Sequence, residues 1–293
     1  MEAVAMITER VGKLFGWRTN VLPLFRRFPL LVCGIAVLVV VTVAAIAAPL
    51  LSPYDPLGVD LSAMLEPPNT RHLLGTDDLG RDLLSRIIYG GRISLSVSVG
   101  SVSISLGVGL LIGLITGYWG GWIDTVLMRL MDAILAFPSL VLALAIAAAL
   151  GAKLVNTAIA IGIVYIPQFA RLARGQVLAV RGLEYIQASR GLGASNTRII
   201  LSHILPNIAM PLIVQVTLSL GYAILAEAAL SFLGVGVQPP QAAWGTMLRM
   251  GYPYLDTAPW LAIVPGAAIF VVVMAFTFVG DGIGNLLGGG SRR

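Results

Sequence analysis

Charge is what this sequence lacks most. Only 11% of its 293 residues are Asp, Glu, Lys or Arg, against about 25% in a soluble domain. Hydrophobic residues make up 57%, and the mean hydropathy is +0.90. That excludes a soluble globular chain and leaves room for about six apolar spans of about 20 residues each. Cysteine is almost missing: the single Cys33 lies in an apolar run and can form no internal disulfide. His72 and His203 stand far apart, without the Cys or carboxylate spacing of a metal cluster. There is no G-x-x-x-x-G-K-[S/T], so the chain does not bind ATP through a P-loop, and there is no G-x-S-x-G or H-E-x-x-H. The net charge of +5 is nearly all arginine. In a membrane chain such a surplus sets orientation and does not imply nucleic acid.

The spans predict an all-α polytopic membrane protein of six transmembrane helices. Residues 1–56 form a basic arm, with Arg10, Lys13, Arg18, Arg26 and Arg27, followed by an uncharged span from Leu30 to Leu51. Ala45-Ile46-Ala47 resembles a signal cleavage site, but the apolar run before it is too long for one. Residues 57–93 form an extracytoplasmic segment. It shows no positive bias, and its last part, Asp82 to Ile93, reads as an amphipathic interfacial helix. Residues 94–293 hold five further spans: Ser94–Trp119, Ala133–Leu150, Thr157–Leu172, Ile208–Leu233 and Pro259–Val279. A short inner loop is expected over 120–132. The second span is dense in Ser and Gly, as close helix packing requires. Arginine favours one side of this layout by about two to one, which places both termini and residues 184–207 in the cytoplasm. No internal or inverted repeat supports a repeat-type secondary transporter.

The interval Glu184 to Asn207 is the longest polar stretch of the second half. Two short helical patterns, Glu184–Leu192 and Asn196–Leu205, meet at Gly193. Ser195 is a candidate N-cap, and Gly193 suits a sharp bend. Such an element fits a partner's groove as well as it fits a plain loop. Glu227 lies in an apolar span, where a carboxylate costs at least about 2.5 kcal/mol. It is read as sitting near the outer end of its helix, paired with an arginine or a backbone donor. The alternative is a proton or substrate-amine site. Asp55 and Asp281 fall at opposite ends of the layout, which speaks against an intramembrane aspartyl enzyme.

The order of residues in the polar interval is similar to the cytoplasmic EAA---G---------I-LP pattern of bacterial ABC importer permeases. Gln187-Ala188-Ser189, Gly193 and Leu205-Pro206 match its spacing, while Gln187, Ser189 and His203 depart from Glu, Ala and Ile. Phe25 to Pro29, Ala48 to Pro56, His72 to Asp82 and Glu227 to Gly234 resemble the C-type permease of the dipeptide, oligopeptide and nickel importer family. The resemblance implies a type I importer permease fold with a cytoplasmic coupling helix, in a bacterial cytoplasmic membrane. It implies a heterodimer with a B-type permease, two ATPase domains and an extracytoplasmic binding protein. ATP and Mg would sit on the partner ATPases, with no cofactor on this chain. The coupling residues would be Glu184, Gln187, Ala188, Ser189, Arg190, Gly191, Gly193, Ala194, Leu205 and Pro206, and Glu227 would serve the shared architecture. Peptides are the implied cargo; nickel complexes or another small solute remain open, as does a secondary transporter or channel.

Overall fold

The computed structural model describes residues 28–288. The basic arm over 1–27 and the closing Arg292-Arg293 lie outside the described residues. Within them the chain is all-helical, apart from one isolated bridge between Thr76 and Asp82. Helix α1 (Pro29–Ile46) starts on a proline and is followed after Ala47 by the single turn α2 (Ala48–Leu51), which begins around Pro49. Proline has no N–H to give to the preceding turn, so the helix breaks there.

Residues 52–82 fold back over the start of α3 (Leu83–Trp119). Asp82 caps α3, accepting from the Ser85 N–H at 2.8 Å and the Ser85 hydroxyl at 2.7 Å. Its other oxygen lies 2.9 Å from His72 Nδ1, and His72 stacks on Tyr54 with ring centroids 4.8 Å apart. Asp77 pairs with Arg81 at 2.7 Å and with Arg86 at 3.4 Å, and Arg86 also donates to the Pro56 carbonyl at 2.9 Å. Toward solvent, the Ser62 hydroxyl and amide hold the Asp60 carboxyl below its ordinary value.

This arrangement corrects the expected interfacial helix over 82–93. Those residues are the first turns of one 37-residue helix, and Arg86 is 1% exposed rather than on a wet face. The reason is local. The loop supplies the carboxylate and carbonyl that a buried guanidinium needs.

Helices α4 (Gly121–Leu135) and α5 (Ser139–Leu150) form a pair bent by 92°. The expected inner loop over 120–132 is therefore helical, and the expected span Ala133–Leu150 is divided between two helices that meet at a sharp bend. Pro138 disfavours helical geometry at Phe137, which sets the break. Helix α6 (Leu154–Arg181) runs parallel to α3, in close contact along its length. A Cβ on Gly109 would lie 2.6 Å from Phe169 Cβ, and one on Gly117 would lie 2.7 Å from Val177 Cβ. The glycines of the second span are thus the contact surface for α6, and Ser105 adds a 2.8 Å hydrogen bond to the Gly162 carbonyl.

Next come α7 (Glu184–Gly191), the single turn α8 (Asn196–Ile199), and α9 (Leu205–Phe232), joined to α8 by the wide turn Ile200–Ile204. Together 196–232 make one 37-residue candidate span, one of five among the described residues, or six where the bent pair counts as one. The expected short helix over 196–205 is thus the first part of the fifth span. Pro206 can give no N–H to the turn before it, and the helix widens there instead of ending. Beyond α9, the short α10 (Trp244–Gly251) is buried between α3, α9 and α11 (Trp260–Gly288). The Trp244 indole crosses Gly90 and Gly91 and donates to the Ile87 carbonyl at 3.0 Å.

Candidate functional site

Helix α7 carries one buried residue, Ile186, fully enclosed in the core cluster that also holds Val177, Ile199 and Ile204. A single anchor on eight residues leaves the other faces free. Glu184, Gln187, Ala188, Arg190, Gly191 and Gly193 are exposed, while Ser189, Ala194, Leu205 and Pro206 are half-buried. Leu183, Tyr185 and Leu192 are exposed beside them, Leu192 at 89%. The element presents apolar and polar groups outward from a rigid seat.

The bend after α7 is built by Gly193, whose φ is +81 and around which a Cβ would meet open space. Only conformation, not crowding, requires glycine there. Ser195 then accepts from the Arg198 N–H at 3.3 Å, as its capping role predicts. His203 stacks edge-on against Tyr185 at 6.3 Å, linking the wide turn back to α7.

The centre of the seat is Tyr118, at the end of α3. Its hydroxyl donates to Asn196 Oδ1 at 2.7 Å and accepts from Arg190 at 3.3 Å, and the Arg190 guanidinium lies 5.5 Å from its ring. Arg181, from the end of α6, donates to the Gly117 and Tyr118 carbonyls at 2.8 and 3.1 Å, a cation at a helix C-terminus. Arg174 clasps Asp124 through two bonds of 2.6 and 2.7 Å, and Arg171 pairs with Asp132. These pairs dock α4 on α6. Sequence reasoning missed Tyr118, Asn196 and Arg181 as a unit; Tyr118-Trp119 closing an apolar span reads only as an interfacial aromatic pair.

Glu227 sits elsewhere, near the opposite end of α9, and is fully buried. Its Oε1 accepts from the Ser231 hydroxyl at 2.8 Å, the Ser94 hydroxyl also approaches the carboxylate, and among the described residues no arginine reaches it. The expected arginine or backbone partner is therefore corrected to Ser231, one turn on. The Ser231 hydroxyl in turn accepts from the Val237 N–H at 3.1 Å. The adjacent Ala228 backbone touches Gly245, where a Cβ would lie 2.5 Å from Ala228 Cα. Glu227 lies where the 234–246 segment seats on α9.

Residues 109–293 match the family described as binding-protein-dependent transport system inner membrane component. Residues 20–68 match the N-terminal transmembrane domain of oligopeptide transport permease C. The chain belongs to the binding-protein-dependent inner membrane permeases, multi-pass subunits that work with an ATPase and a binding protein and are not themselves catalytic. It is 45% identical over 258 residues to the dipeptide transport system permease protein DppC of Alkalihalophilus pseudofirmus, covering 88% of this chain and 85% of that one. It is 46% identical over 260 residues to the di/tripeptide transport system permease protein DppC of Pseudomonas aeruginosa (87% and 86% covered). It is 39% identical over 272 residues to the glutathione transport system permease protein GsiD of Pectobacterium atrosepticum (92% and 90% covered).

Proposed function

We propose that this chain is the C-type transmembrane subunit of an ATP-driven importer of di- or oligopeptides. The observation that carries the reading is identity of 39–46% over most of the chain to relatives named for dipeptides, di/tripeptides and glutathione. Glutathione is itself a small peptide. The chain pairs with a B-type permease, two ATPase domains bind ATP and Mg, and an extracytoplasmic binding protein delivers the cargo. Both termini and residues 184–207 face the cytoplasm, and residues 52–82 face outward.

In this reading α7 docks into a groove on one ATPase. Glu184, Gln187, Ala188, Arg190 and Gly191 meet the groove, Gly193 and Ala194 set the turn, and Ser189, Leu205 and Pro206 back it. The exposure of α7 around its single anchor Ile186 supports this. Closure of the ATPases pushes on α7, and its seat on α3 and α9 passes the displacement to the membrane helices, giving alternating access. Glu227 is assigned to the seating of the outer segment and not to the cargo.

Uptake of a radiolabelled dipeptide is measured in cells that carry the whole system and no other peptide importer. Uptake that requires both the binding protein and hydrolysis-competent ATPases is expected. Uptake surviving hydrolysis-dead ATPases would instead make the chain part of a secondary transporter or channel. Import of nickel complexes with no peptide import would reassign the cargo.

A further inference from the structure

A cavity of about 260 Å³ opens between α5, α6 and α9. Ser139, Tyr165 and Tyr222 bring hydroxyls to it, and Ala143, Val164 and Leu225 supply apolar wall. Neither tyrosine hydroxyl makes a hydrogen bond to the described residues, and Tyr222 is 57% exposed. At ~1.5 Å per residue, Tyr165 lies about 16 Å down α6 from Leu154 and Tyr222 about 15 Å down α9 from Phe232. The two phenols line the same cavity, each about three turns inside its helix and so away from the headgroup levels where membrane tyrosines usually sit.

The same two faces continue inward with Gln168, Ser219 and Gln215. Gln215 donates to Ser219 at 3.2 Å and reaches Gln168 at 3.5 Å. Polar side chains at this depth face a bundle interior or water, because hydrocarbon would leave their donors unsatisfied.

The geometry points to this neutral ladder, Tyr165 and Tyr222 above Gln168 and Gln215, as this subunit's wall of the substrate path, and to peptide main-chain amides as its ligands. Hydroxyls and carboxamides both donate and accept, so they can match amide N–H and C=O groups in turn. No charged side chain lines the cavity among the described residues. The wall thus takes peptides without regard to side-chain charge and leaves selection to the binding protein. This rests on the importer reading above.

The test uses the complete transporter in membrane vesicles. Cys33 is the only cysteine in this chain, so Cys33→Ser gives a clean background. Tyr165→Cys and Tyr222→Cys are treated with a membrane-impermeant maleimide, beside Phe270→Cys on the exposed face of α11. Apolar surroundings suppress the reactive thiolate by roughly tenfold per pKa unit. The two ladder positions are therefore expected to react at least roughly tenfold faster than Phe270→Cys in one nucleotide state, and their modification to block uptake. Tyr222→Phe should lower dipeptide uptake by about fivefold, the worth of one hydrogen bond, while binding-protein-stimulated ATP hydrolysis persists. Reaction no faster than at Phe270→Cys in both the nucleotide-free and ATP-trapped states overturns the path. Rapid reaction in a transporter that imports no peptide leaves the aqueous path standing and overturns the peptide ligand.

Discussion

Tyr118→Phe removes one oxygen from the seat of α7 and leaves the ring in place. The lost bonds are the 2.7 Å one to Asn196 and the 3.3 Å one from Arg190, whereas the 5.5 Å approach of Arg190 to the ring survives. A net hydrogen bond is worth about 0.5–1.5 kcal/mol. The Arg190 bond is long and its side chain exposed, so the pair together contribute about 1–2 kcal/mol. That shifts the balance between a seated and a loosened α7 by roughly 5–30-fold. Amide exchange across 184–200 in the assembled transporter reads this directly, because local opening sets the exchange rate. Exchange there should rise by the same factor, with no change in the α3–α6 contact. Tyr118→Ala, which also removes a buried ring, should lose about 3–5 kcal/mol and loosen the element outright. ATP hydrolysed per peptide imported should rise in the same order. Exchange within about twofold of wild type in Tyr118→Phe would show that α7 is held by Ile186 alone, and the hub would have no energetic role.

Gly193→Val should cost about 1–3 kcal/mol of backbone strain at φ +81, while Gly193→Asn should be nearly silent, because the space around the position is open; ATPase co-purification separates the two. Gly113→Val places a branched side chain against the Ala170 carbonyl, 2.7 Å from the new Cβ, and should cost at least about 1–3 kcal/mol of helix packing, read as lost thermal stability in detergent. Glu227→Gln keeps an oxygen for the Ser231 hydroxyl and puts an amide nitrogen in place of the second carboxylate oxygen, where the Ser94 hydroxyl can accept from it. Assembly and uptake should therefore be unchanged, and lost uptake in an assembled complex would point to a proton or substrate-charge role.

Much of this was legible in the sequence for physical reasons. Long apolar runs mark spans because lipid gives backbone groups no partner. The stop at Gly193 was readable because glycine adopts that conformation more cheaply than other residues. The errors share one cause. Asp124 and Asp132 looked like loop residues because their counter-charges, Arg174 and Arg171, lie on a different helix. Asp82 to Ile93 read as an interfacial helix because the partners of Arg86, Asp77 and the Pro56 carbonyl, arrive by a fold-back of the preceding segment. Tyr118 drew no attention because Arg190 and Asn196 are more than seventy residues away. A charged or polar residue is read by its immediate neighbours in a sequence and by its distant partners in a fold.

The continuity of α3 constrains how a push on α7 can act. Thirty-seven residues without a break span about 55 Å. One end is clamped by Asp82, Asp77 and Arg86, and the other carries the Tyr118 hub. Along the middle, Gly109, Gly113 and Gly117 press its backbone onto α6, so the two parallel helices have no freedom to slide past each other without separating. Displacement entering through Arg190 and Asn196 must then move α3 and α6 as one body. The same displacement enters α9 directly through the unbroken run from Asn196, so α9 can move with that body or against it. The cavity of Tyr165 and Tyr222 lies on this α6–α9 boundary, with α5 closing it beyond the 92° break at Phe137-Pro138. Bending belongs at that break and at the positive-φ pair Gly120-Gly121, where no packed core resists it. In the importer reading, a push on α7 therefore bears on the α6–α9 seam, where the cavity of Tyr165 and Tyr222 lies.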